Sequence, residues 1–205
     1  MTDRIQNCQR ALDSALAMIE STSPATLSNP TPCVGWDARA LIDHMIGVVQ
    51  TFGAGFAGGT KLTAASGQST TGLAGDNPTA TYKQAVDTLM AALRQPGALD
   101  KTLTLPFGEM PGNQAINIVI GDQLIHTWDL AKTLGKPYTM DEELASGVLA
   151  LLHQILTFGK QRVEGFLILG LRPVLGGDER VGFLELGDRC FAQLCRLTHC
   201  ENPPG

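Results

Sequence analysis

Apolar side chains return at three- and four-residue steps through most of the first 158 residues, and that period predicts helices. Over residues 3–20 the series is Ile5, Cys8, Ala11, Leu12, Ala15, Leu16 and Ile19. Ser21 to Pro32 interrupts it with Ser, Thr and the breakers Pro24, Pro30 and Pro32, and reads as a loop. Asp37 is placed to cap a second helix that runs to about Phe56. Residues 57–75 are dense in Gly, Ser and Thr without a period and read as a long mobile loop. Asn77-Pro78 opens a third helix carrying Tyr82, Ala85, Val86, Leu89, Met90 and Leu93 at helical steps, and Gln95-Pro96-Gly97 closes it. Leu103, Leu105 and Phe107 alternate, which predicts a short extended segment or a hairpin turning at Gly108. A fourth helix begins near Pro111 and ends at Gly135, a good C-cap followed by Pro137. Asp141 caps a further one, whose stripe of Leu144, Val148, Leu151, Leu152, Ile155 and Leu156 runs to about Phe158.

Beyond Gly159 the periodicity fades. Val163 to Leu175 is apolar without a clean period, Gly176-Gly177-Asp178 makes a turn, Arg189 to Thr198 suits a short last helix, and Glu201 to Gly205 reads as a disordered tail. No segment repeats. The expected fold is all-α: a four-helix bundle over residues 1–158, with a small irregular or α+β extension over 159–205 packed on it.

The fourth helix is apolar nearly all round, which marks a buried element. Ile116, Ile120, Leu124, Trp128 and Leu134 take its far side. On the inner side Asp122, His126 and Asp129 fall within about 60° of one another, joined by Thr133 and flanked by Ile118, Val119, Ile125 and Leu130. Carboxylates and an imidazole walled by Ile and Val must be paired or bound to a metal. The second helix sets Arg39, Asp43 and Gln50 on one side, expected toward water. His44 lies away from them with Leu41, Val48 and Phe52, facing inward.

Asp122 and His126, spaced i, i+4, reach the same point in space, as two ligands from one helix must. With His44 they make a two-histidine, one-carboxylate set that suits Zn, Fe, Co, Ni or Mn and leaves positions open for water or substrate. Asp129, one turn on, is placed to hold a ligand or a metal-bound water by hydrogen bond. Other readings compete at each position. An i, i+4 Asp–His pair is commonly a plain ion pair, and an inward histidine is commonly a satisfied core residue. His153 is a weaker candidate for a fourth ligand, and His199 in the tail is discounted. Cys190, Cys195 and Cys200 step by five, which matches no zinc knuckle. Trp36 and Trp128 read as core aromatics, with Trp36 able to wall a cavity. There is no Gly-x-Ser-x-Gly elbow and no phosphate-binding loop.

Composition narrows the partners. Across 205 residues the chain is 43% hydrophobic and 17% charged, with a net charge of −5. It can fill a core but offers no basic patch for nucleic acid or an anionic membrane. No apolar run is long enough to span a bilayer, and the N-terminal residues do not read as a signal peptide. Five cysteines, an odd number, suggest reduced thiols and a cytoplasmic location.

Two stretches resemble a known family. Thr31-Pro-Cys-Val-Gly-Trp-Asp-Ala-Arg-Ala-Leu-Ile-Asp-His44 is similar to the N-terminal signature of the actinobacterial DinB-like metal-binding proteins, relatives of the metal-binding domain of mycothiol-dependent maleylpyruvate isomerase. Asp122-Gln-Leu-Ile-His126-Thr-Trp-Asp129-Leu-Ala resembles the second signature. The resemblance covers residues 5–158. It implies a four-helix bundle holding a divalent metal, often zinc, through His44, Asp122 and His126. It also implies a thiol cosubstrate such as mycothiol, whose sulfur the metal would keep as thiolate. Two features depart from the isomerase: only residues 159–205 follow the bundle where that enzyme has a full C-terminal domain, and residue 122 is Asp where it has Glu. The expected function is a thiol-dependent S-transferase or isomerase with an open metal site. The alternative is a non-catalytic module of the same fold that holds a small molecule or a structural metal. A metal-free bundle is the third reading. The expected partners are a small-molecule thiol or electrophile, with a homodimer compatible with the bundle.

Overall fold

The computed structural model describes residues 4–33, 35–58, 72–105 and 108–147. The expectations for the 57–75 loop between residues 59 and 71, for the Asp141-capped helix beyond residue 147, for His153, His199 and the three C-terminal cysteines, and for the 159–205 extension lie outside these residues.

Four helices dominate: α1 (Arg4–Glu20), α2 (Ala38–Phe56), α3 (Pro78–Leu93) and α4 (Gly112–Leu134). A one-turn 3-10 helix, Ala98–Asp100, and a two-stranded antiparallel hairpin, β1 (Thr102–Leu105) and β2 (Gly108–Pro111), join α3 to α4. The mostly helical class expected from the periodicity is what the chain adopts. α2 packs chiefly on α3 and α1 on α4, with α2 also crossing α4. The core lies between them. Leu12 and Ile19 of α1, Leu41, Ile42 and Met45 of α2, Tyr82 and Leu89 of α3, and Ile116 and Leu124 of α4 are fully buried there or nearly so. No described helix is long and apolar enough to cross a membrane.

Local chemistry explains the boundaries. Asp37 caps α2, its carboxylate accepting the Ala40 N–H at 2.8 Å. Asn77 caps α3 in the same way, accepting from Ala80 at 3.0 Å, with Pro78 at the first helical position. Gly135 ends α4 in the left-handed region at φ 62°, where a side chain would be strained. Asp141 accepts the N–H of Leu144 at 3.2 Å and opens helical residues 142–147. It is also ion-paired with Arg10, which ties that turn to α1.

Four expectations need correction. Gly108 pairs with Leu105 as the first residue of β2, because the register places four residues opposite four and keeps it inside the ladder. Asp43 is buried, not solvated. It accepts the N–H of Gly72 at 2.8 Å and of Ala74 at 2.5 Å, while Arg39 donates to the Gly75 carbonyl at 2.9 Å. The chain entering α3 therefore covers this face of α2 around Asp43, while Gln50 is exposed as expected. Trp128 is only half-buried, with the Lys132 ammonium 4.9 Å from its ring, an arrangement that keeps the cation wet. Reduced thiols hold at Cys8, which is free and buried, but not at Cys33, which is disulfide-bonded. An odd count cannot say which cysteines a fold brings together.

Candidate metal centre

His44 sits on the second turn of α2, a helix with buried residues on nearly every side. Asp122, His126 and Asp129 sit on consecutive turns of α4 and face it. The crossing of α2 on α4 brings them together across 78 residues of sequence. His44 Nε2 lies 3.0 Å from Asp122 Oδ1, and His126 Nε2 lies 3.7 Å from the same oxygen. One ligand atom from each residue falls within 4.8 Å of the others. Their side chains are 6%, 9% and 2% exposed in the order His44, Asp122, His126.

These separations suit a shared ion. Tetrahedral bonds of about 2.0–2.1 Å put neighbouring donor atoms roughly 3.3 Å apart. The 3.0 and 3.7 Å distances bracket that value, and 3.7 Å is too long for a hydrogen bond. Two imidazoles and one carboxylate form the donor set of an open zinc site.

His126 is held from behind. Its Nδ1 lies 2.9 Å from Asp129 Oδ2, a fully buried contact. A proton on Nδ1 directed at Asp129 leaves the Nε2 lone pair facing Asp122 and His44. Asp129 thus holds a candidate ligand and is not one of the three. Thr133, its neighbour on the wheel, donates its hydroxyl to the Asp129 carbonyl at 2.8 Å. The Cys33 sulfur is 3.6 Å from the same Asp129 oxygen. Cys33, His126 and Asp129 also gather potential ligand atoms, but a disulfide sulfur is no thiolate ligand.

Trp36 forms one wall. Its ring centroid is 5.0 Å from that of His44 and 6.3 Å from that of His126. It is aimed there by a tight turn in which Thr31 donates its N–H to the Trp36 carbonyl at 3.0 Å and Gly35 takes φ 82°.

Electrostatics follow from burial and pairing. Burial alone would push the Asp122 carboxyl up, but the charges of His44 and His126 and the hydrogen bonds from His44 and Gln123 outweigh it, so it stays below its ordinary value. Burial would push His126 down, yet Asp122 and Asp129 together hold it above its ordinary value.

Two contributors escape the periodicity. Gln123 is fully buried beside Asp122, its Nε2 donating to Asp122 Oδ2 at 2.9 Å and to the Met45 carbonyl at 3.3 Å. Tyr82, read as core, donates its hydroxyl to Gln123 Oε1 at 2.6 Å. A glutamine inside an otherwise apolar helix face was the available signal.

Residues 8–131 match the family model of the mycothiol maleylpyruvate isomerase N-terminal domain. The chain belongs to this family. Two uncharacterized proteins of Mycobacterium tuberculosis, from strains CDC 1551 and H37Rv, are each 31% identical over 148 residues, covering 72% of this chain and 76% of theirs. Among solved structures, a histidine-to-alanine mutant of mycothiol-dependent maleylpyruvate isomerase superposes with a TM-score of 0.59 at 16% identity, over 72% of this chain. At that identity the likeness shows the shared fold. The match spans 66% of the isomerase's own length.

Proposed function

We propose that this member of the mycothiol maleylpyruvate isomerase N-terminal family binds one divalent metal, with zinc the best fit, through His44, Asp122 and His126. We further propose that it uses the ion to activate a small thiol such as mycothiol for S-transfer or isomerisation. The observation that carries this reading is the convergence of three buried donors from two helices at separations that suit one ion, with Asp129 orienting His126 from behind. The family description and the name of the solved relative, both of which specify mycothiol, supply the thiol.

A bound divalent ion would supply Lewis acidity, lowering the pKa of a thiol or water beside it toward neutrality. The chain's own residues do the rest. His44 and His126 present imidazole lone pairs from different helices, so the site exists only when α2 and α4 are docked. Asp129 retains the Nδ1 proton of His126 and keeps the ring from rotating. Trp36 covers one side of both imidazoles and excludes water there. Three donors leave room for a substrate sulfur.

Elemental analysis tests the reading. The purified protein, or protein reconstituted with zinc or cobalt, should carry one ion per chain, and His126→Ala should carry none. Cobalt-loaded protein should then gain a sulfur-to-metal absorption band when mycothiol is added. The 3.0 Å contact between His44 and Asp122 also suits a metal-free polar cluster. Absence of stoichiometric metal after reconstitution would establish that second reading and refute the first.

A further inference from the structure

Asp122 is held from both sides. Its Oδ1 faces the two histidines and its Oδ2 takes a hydrogen bond from Gln123. The Gln123 amide is itself pinned. Its two N–H groups meet two oxygen acceptors, Asp122 Oδ2 and the Met45 carbonyl on α2, and its Oε1 takes the Tyr82 hydroxyl of α3. The reverse amide orientation would set Oε1 against a carboxylate and a carbonyl, so only the observed one satisfies every group. Tyr82 and Gln123 are both fully buried, so losing a partner would strand a buried polar group. The relay crosses three helices and ends on a candidate ligand.

On the metal-binding reading given above, we propose that Tyr82 and Gln123 are positioning residues that occupy Asp122 Oδ2 and so commit the carboxylate to the ion through Oδ1 alone. A carboxylate free to rotate could bind through both oxygens and fill a coordination position. Held by Gln123, it contributes one donor, and the site stays at three protein donors with space for a substrate sulfur. Tyr82 acts through Gln123: its hydroxyl selects the amide face that meets Asp122.

The test uses Tyr82→Phe and Gln123→Met, both of which keep side-chain volume. Zinc affinity is measured by chelator competition, and the visible spectrum of the cobalt-loaded full chain is recorded, with His126→Ala as control. Far-UV circular dichroism and metal-free melting report the fold separately. Zinc affinity should fall about tenfold in Tyr82→Phe and about 10–100-fold in Gln123→Met, the range for groups that orient a ligand. The cobalt bands should weaken as the coordination number rises, at unchanged stoichiometry. A purely structural role would lower the melting temperature and leave affinity and spectrum alone, and that result in Tyr82→Phe overturns the proposal. If the wild type binds metal, His126→Ala does not, and both relay variants match the wild type, the relay fails and the metal site stands. If the wild type binds none, both fall.

Discussion

His126 stands between two carboxylates, and that placement sets how the site responds to pH. In the metal-free protein its pKa lies above the ordinary 6.5, burial being outweighed by Asp122 and Asp129. The stability this gives is complete below about pH 6.5, the unfolded value, and is lost as pH rises through the folded value. Asp122 lies below its ordinary 3.8, because its imidazole partners outweigh burial. Its contribution is complete above about pH 4 and is lost as pH falls through the folded value. The urea midpoint of metal-free protein should therefore be level between about pH 4 and 6.5 on account of these two groups and decline at higher pH. Metal reverses the trend, since ligands must shed their protons to bind. Zinc-loaded protein should gain stability as pH rises to about 6.5 and hold it above. A zinc-loaded midpoint that tracked the metal-free one across this range would contradict the assignment of His126. At this scale the wheel placed Asp122, His126 and Asp129 on one face of α4, where the structure also has them, because i, i+3 and i, i+4 neighbours share a face whatever surrounds the helix. It could not say that Asp43 turns to the 72–74 backbone, since that partner lies outside the element.

Element boundaries were legible because their causes are local. Asp37, Asn77-Pro78 and Gly135 each act within one turn of their own position. The start of α4 is different. Pro111 offers no side-chain cap, and the Gly112 N–H instead donates to the Lys101 carbonyl at 2.7 Å. A Cβ at Gly112 would lie 3.1 Å from the carbonyl oxygens of Ala98, Leu99 and Lys101, all backbone atoms that cannot swing aside. Gly112→Ala should destabilise the protein by about 1–3 kcal/mol, the usual cost of overpacking, read as a lower urea midpoint. The metal content of the folded fraction should not change, because Asp122 lies nearly three turns further along. A neutral Gly112→Ala would show that the 3-10 turn before β1 is free to move. Nothing in the alternation of Leu103, Leu105 and Phe107 specifies this close approach, or tells a turn at Gly108 from the strand position it takes.

For the whole molecule, an ion held by His44 on one side and Asp122 and His126 on the other would tie α2 to α4. Binding to the folded state alone stabilises it by about 2.7 kcal/mol when free metal is a hundredfold above Kd. For a chain of this size that is a rise of roughly 5–10 °C in melting temperature. Chelator should remove it, added zinc should restore it, and His126→Ala should show neither effect. A melting temperature indifferent to chelator in protein of measured metal content would place the ion elsewhere. The helical period, the caps and the isolated polar groups on an oily α4 determined the four-helix class and nominated His44, Asp122 and His126, because those features depend only on residues within a turn or two. Their meeting was decided by tertiary structure. The rotation and crossing of α2 on α4 follow from how whole faces pack, and only the packing of α2, α3 and α4 brings His44 to Asp122 and Tyr82 to Gln123.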